Sequence, residues 1–112
     1  MTDTPDEVLL VLTNLPDADT AQALANALIE ARVAACVNIL APATSVYRWQ
    51  GKVSTDTEVP LLIKTTRAAY PMLASAIRAG HPYELPEIIA VPVTGGLPDY
   101  LDWVRDETRA AR

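Results

Sequence analysis

A single cysteine, Cys36, and a single histidine, His81, serve this entire sequence, and each scarcity closes off chemistry. One cysteine cannot form an intrachain disulfide. The histidine lies in a different segment, so a Cys/His nucleophile pair exists only if folding joins the two. Basic residues are also scarce. Nine Lys and Arg face fourteen Asp and Glu, for a formal charge of −5 and a pI near 4.6. They nowhere form the cluster that phosphate contacts require, which argues against a nucleic-acid partner. No apolar run approaches the ~20 residues of a membrane span, and the N-terminus lacks the charged start, apolar stretch and cleavage site of a signal peptide. The expectation is a soluble, cytoplasmic protein with no membrane partner. Gly95 and Gly96 sit in a turn before Pro98 without the strand-to-helix spacing of a phosphate loop. Repeats and low-complexity linkers are absent too. What remains is a chain of 112 residues, half of them apolar, long enough for one domain with a real core. That domain is expected to span residues 1–112, with 1–6 as a flexible tail.

Periodicity supplies the elements. "EVLLVLT", Glu7 to Thr13, is a continuous apolar run of strand length, suited to a central strand buried on both faces. "NLPDADT" offers Asp17, Asp19 and Thr20 as helix caps, and Ala21, Leu24, Ala25 and Leu28 recur with helical spacing to about Ala31. The β-leaning run Val33 to Leu40 breaks or bulges at Pro42. "SVYRWQGKV" alternates, with Tyr47 and Trp49 on one side and Val46 and Arg48 on the other. "EVPLLIKT" alternates again, with Val59, Leu61 and Ile63 opposite Glu58, Leu62 and Lys64. A second helix is expected from about Thr66 to Ala79, with Tyr70, Leu73, Ala74 and Ile77 on one face, stopped by Gly80. Pro71 implies a later start or a bend there. "EIIAVPV" reads as an edge strand. Pro98 opens a C-terminal helix with Leu97, Leu101 and Val104 as its apolar stripe.

If Gln50 and Gly51 form a two-residue turn, Trp49 opposes Lys52 and paired numbers sum to about 101, which sets Val37 opposite Lys64. A hairpin from Val33 to Thr65 then has arms on the order of 50 Å, against the ~17–20 Å usual for a strand. Its outer half, with Tyr47 and Trp49, leaves edges and aromatic surface in water unless another chain covers them. Pattern and length therefore imply an oligomer. The order strand, helix, two strands, helix, strand, helix is the βαββαβ arrangement of an α+β, ferredoxin-like sandwich, here with a long β-hairpin and an extra C-terminal helix.

Several spaced motifs then carry a resemblance. "ARVAACVNI", "SVYRWQGKV" followed by "EVPLLIKT", and "HPYELPEI" followed by "PVTGGLPDYLDWV" together resemble the CutA family of divalent-cation tolerance proteins, from Leu9 to Val104. The resemblance implies a ferredoxin-like protomer in a tight homotrimer whose hairpins cross between subunits, similar in architecture to the PII signalling proteins. It also implies a link to copper and other divalent-ion tolerance, a sensing or small-ligand role, and no established reaction. Some bacterial members hold copper through a cysteine ending the first strand and two histidines before "PY". The matching positions here hold Thr13, Gly80 and His81, so one ligand of three is retained.

His81 with Glu84 is accordingly the candidate metal pair, with Glu87 as a further oxygen donor, for weakly held Cu or Zn; no cofactor is required. The alternative for "HPYELPE" is a rigid connector, in which Pro82 and Pro86 fix φ. Its ionisable side chains keep a ligand cleft in view. The resemblance places this stretch beside a neighbouring subunit's hairpin, so the candidate cleft comprises Tyr47, Trp49, Lys64, His81, Tyr83, Glu84 and Glu87. Tyr47 and Trp49 also suit interface anchors, and Cys36 suits a small buried strand residue. Three functions follow in order of preference. The first is a non-enzymatic trimeric sensor or binding protein of metal-ion homeostasis, with an unidentified small ligand or partner protein. The second is a direct copper- or zinc-binding protein, and the third a small-molecule enzyme using His81 and Glu84 as acid and base.

Overall fold

The computed structural model describes residues 4–109. Its elements are β1 (Val8–Leu15), α1 (Ala18–Glu30), β2 (Cys36–Ile39), β3 (Ala43–Trp49), β4 (Lys52–Thr66), α2 (Tyr70–Gly80), β5 (Ile89–Pro92) and α3 (Pro98–Glu107). The antiparallel sheet runs β2-β4-β1-β5, and β3 continues along β4 beyond β2. Counting β2 and β3 as one interrupted strand, this is the α+β, ferredoxin-like order that the element sequence predicts.

Each element begins where local chemistry lets it. Asp17 is extended and accepts a hydrogen bond from the Thr20 amide at 2.8 Å, capping α1. Ala21, Leu24, Ala25 and Leu28 are the buried residues of α1, the four that share its apolar stripe. The helix ends without glycine. Arg32 takes φ 59°, its amide reaches Ile29 O at 3.0 Å, and the Val33 amide reaches Leu28 O at 3.2 Å. That is a Schellman closure with arginine in the left-handed position. The second helix starts at Tyr70 rather than Thr66, because Pro71 is tolerated only in a first turn. Thr66 instead sits in β4, where its hydroxyl accepts from the Ala69 amide at 3.3 Å.

One face of the sheet packs on α1 and α2. Val11, Leu15, Leu61, Ile63, Leu73 and Ile77 are all fully buried there, each side chain stabilising by about 1.5–3 kcal/mol through apolar burial. Thr65 on β4 donates to Val33 O at 2.7 Å, tying the α1–β2 connection to the sheet. On the other face α3 covers one end. Val104 packs with Val8, and Thr108 lies 3.4 Å from Thr66. Beyond α3 that face is open, so β1 is central but not buried on both faces within the chain. Leu10, Leu12 and Leu62 are half-buried, and Ile89 and Val91 are 50% and 45% exposed. Leu97 is exposed as well, leaving Leu101 and Val104 as the packed side of α3. Of the expected tail, residues 1–3 lie outside the described residues. Pro5 and Asp6 are joined to the body through carbonyls that accept from the Ala68 amide and Arg105 Nε.

The two-residue turn forms as expected. Gln50 and Gly51 have φ 50° and 80°, the paired positive values of a tight hairpin, and Trp49 opposes Lys52. Numbers sum to 101 throughout β3, yet in β2 Cys36 opposes Lys64 and Val37 opposes Ile63, a sum of 100. The Pro42 break is therefore a bulge: residues 40–42 face only 59 and 60, and the register slips by one. Only β4 is continuous over the long arm, and its 15 residues account for the molecule's longest dimension, 43 Å. The radius of gyration, 14.5 Å, exceeds the roughly 13 Å of a compact chain this long. The arm projects.

Among the described residues, the Thr13 hydroxyl is the one buried side-chain polar atom without a hydrogen-bond partner. It points into the α1/α2 core with the residue 1% exposed. Thr13→Val should therefore stabilise the protein by about 1 kcal/mol, since the desolvation cost of the hydroxyl disappears at nearly constant shape. Urea denaturation checks this, and a lowered midpoint would refute it.

Candidate ligand groove

The outer half of the hairpin does not project into empty space on both sides. One side faces the connector between α2 and β5, and the two enclose a groove of about 1180 Å³. The hairpin contributes Tyr47 and Trp49 from β3 and Asp56 and Glu58 from β4; Tyr83, Glu84 and Glu87 come from the connector, and Asn14 from the end of β1. Strand alternation puts Tyr47, Trp49, Asp56 and Glu58 on one side of the ribbon. The Tyr47 hydroxyl bonds to its diagonal neighbour Asp56. Across the groove, Asn14 Nδ2 donates to Glu87 Oε1 at 2.9 Å.

The connector is rigid for identifiable reasons. His81 closes α2 in an extended conformation that suits the residue before Pro82. Its ring is then pinned at both nitrogens. Nε2 lies 2.7 Å from Asn14 O, and Nδ1 accepts from the Tyr83 amide at 3.2 Å. A carbonyl only accepts, so Nε2 carries the hydrogen and Nδ1 presents the lone pair. Tyr83 also packs tilted against the imidazole, with centroids 4.8 Å apart.

Two tyrosines of the groove are electrostatically perturbed. Burial, followed by the hydrogen bond to Glu58 and the nearby carboxylates, pushes the Tyr83 phenol up to about 12. The hydrogen bond to Asp56 raises that of Tyr47. Both side chains act here as neutral donors to carboxylates.

Of the predicted cleft residues, Tyr47, Trp49, Tyr83, Glu84 and Glu87 line this groove, with His81 behind it as the pin. The chain's own hairpin supplies the aromatic wall that was expected from a neighbour. Lys64 of the same chain does not line the groove. It lies six residues beyond Glu58 along β4, about 20 Å away, where its ammonium donates to Asn38 Oδ1 and sits 4.0 Å from Cys36 Sγ. Cys36 is half-exposed rather than buried. Each ring nitrogen of His81, the expected metal donor, already has a partner in the fold. No group of three or more His, Cys, Asp or Glu side chains among the described residues is placed to hold a metal ion. Thr13 is buried on the opposite, core-facing side of β1. Asn14, Asp56 and Glu58 are groove residues that sequence reasoning missed. The hairpin register would have revealed Asp56 as the diagonal neighbour of Tyr47, whereas Asn14 carries no local signal.

Comparison with known proteins adds an independent line. The family described as "CutA1 divalent ion tolerance protein" matches residues 9–107. A divalent-cation tolerance protein CutA of Thermus thermophilus is 50% identical over 99 residues, covering 88% of this chain and 96% of that one. The CutA protein of Mus musculus is 42% identical over 106 residues, but the match spans only 60% of the mouse protein's length. Among solved structures, CutA from Xylella fastidiosa superposes with a TM-score of 0.89 at 44% identity, covering 91% of this chain and 98% of that chain.

The Tyr83 geometry has a titration consequence. In the folded protein the phenol keeps its proton to about pH 12, whereas an unfolded tyrosine loses it near ~10. The native state thus binds the extra proton between these values, so this contribution is intact below ~10 and is lost as pH rises toward 12. Across that window the wild type should lose stability faster than Tyr83→Phe in thermal unfolding. Parallel curves would overturn the assignment.

Proposed function

This chain belongs to the CutA1 divalent ion tolerance family, and from that premise we propose that it acts in divalent metal-ion (copper) homeostasis as a non-enzymatic, cytoplasmic, homotrimeric small-ligand sensor of PII-like architecture. The observation that carries the sensing role is the groove. It is concave, aromatic-walled and rimmed by polar groups, the makings of a binding site. Against catalysis, the groove lining holds no cysteine or lysine nucleophile among the described residues, and the ring nitrogens of His81 are committed to Asn14 O and the Tyr83 amide. The same commitment argues for an indirect link between metal tolerance and this protein, in preference to a resident copper or zinc site. The trimer is supported by the open face of the sheet. Leu10, Leu12, Leu62, Ile89 and Val91 form an apolar surface beside the projecting hairpin arm, and self-association is the simplest way to remove such a surface from water.

Two outcomes follow. Sedimentation equilibrium should give three protomers per particle that persist on dilution to about micromolar concentration, the regime of a stable interface. A folded monomer there would remove the trimer from the proposal. Calorimetric titration with Cu(II) or Zn(II) should find no site tighter than about micromolar, because isolated carboxylates leave most coordination positions to water. A nanomolar site would restore direct metal binding as the primary function.

A further inference from the structure

The charge of the groove is one-sided. Asp56, Glu58, Glu84 and Glu87 line it, and among the described residues of this chain no lysine, arginine or histidine does. Among the described residues none of the four takes part in an ion pair. Their protein partners are neutral donors: Tyr47 on Asp56, Tyr83 on Glu58 and Asn14 on Glu87. Such donors satisfy lone pairs but leave the charge uncompensated. An anionic ligand is therefore repelled and a cationic one favoured.

The spacing then separates two kinds of cation. A metal ion needs several donors converging within ~2–2.6 Å of one point, and no such group of three exists among the described residues. The carboxylates are instead distributed. Asp56 and Glu58 alternate along one side of β4, about 7 Å apart, and Glu84 and Glu87 stand on the opposing connector. Between them lie Tyr47, Trp49 and Tyr83. Aromatic faces attract ammonium groups and also pack against methylene chains. A ligand matched to this pattern carries separated positive charges on an apolar stem.

We propose that the groove binds an aliphatic di- or polyamine, its ammonium groups held by the spaced carboxylates and its methylenes laid along Trp49, Tyr47 and Tyr83. This rests on the groove being a small-molecule site and names the chemistry of its occupant.

Calorimetry on the full chain with spermidine, at an ionic strength that screens non-specific attraction, tests the idea. Saturable binding of one spermidine per groove is expected, with propylamine weaker by about tenfold or more because it offers a single charge. Glu84→Gln combined with Glu87→Gln should weaken spermidine by about tenfold or more, and Trp49→Leu by several-fold. Asp102→Asn with Asp106→Asn on the exposed side of α3 should leave it unchanged. Equal losses in the α3 variant would reduce the effect to net charge and overturn the proposal, as would absence of saturable binding. The amide resonances of Tyr83, Glu84, Leu85, Glu87, Ile88 and Ile89 separate this failure from that of the groove itself. If acetate or triethylene glycol shifts them and spermidine does not, the groove stands and the amine falls. If none of the three shifts them, both fall.

Discussion

The fold depends on the backbone pairing of one strand. β4 serves as hydrogen-bond partner to β1 along one edge and to β2 and then β3 along the other. Its register is not free to slide. Val59, Leu61 and Ile63 fill the core under α1 and α2, and a slip of one residue would drive Pro60, Leu62 and the Lys64 ammonium into their places. With that strand locked, the extra residue at 40–42 lets β3 rejoin it on a shifted register. The ribbon then continues past the end of the core.

The groove is a by-product of that overshoot. Because the outer ribbon has no helix beneath it, one side is available to the connector that leaves α2. Pro82 restricts the path, and the His81 ring fastens it, gripping the end of β1 with one nitrogen and its own connector with the other. The only imidazole in the chain thus serves as a structural pin at the margin of the groove. Its removal would loosen the wall on which Tyr83, Glu84 and Glu87 are mounted.

Burial also explains how Thr13 and His81, the two positions singled out by the resemblance, behave in this chain. Thr13 faces the core between the sheet and the helices, while the His81 ring bonds the main-chain carbonyl of Asn14, the next residue along β1. The two positions thus serve separate structural ends. Asp56, Glu58, Glu84 and Glu87 form a different arrangement, spread along facing walls with aromatic rings between them.

Local chemistry written in the sequence determined the elements and their faces. The Asp17 cap, the Ala21–Leu24–Ala25–Leu28 stripe, the alternation through Val59, Leu61 and Ile63, and the Gln50–Gly51 turn all depend on neighbours within a few residues, which a linear reading contains. The family motifs and the aromatic side of the hairpin were legible for the same reason. Tertiary structure alone decided the rest. The one-residue slip at the Pro42 bulge moved Val37 from Lys64 to Ile63, and the reach along β4 separated Lys64 from the cleft it was expected to join. The left-handed Arg32 that ends α1 had no glycine to announce it. The partners that define the groove, His81 with Asn14 at a separation of 67 residues and Asn14 with Glu87 at 73, exist only because packing brings the end of β1 beside the connector. No periodicity encodes a contact between segments whose meeting depends on how every element between them is stacked.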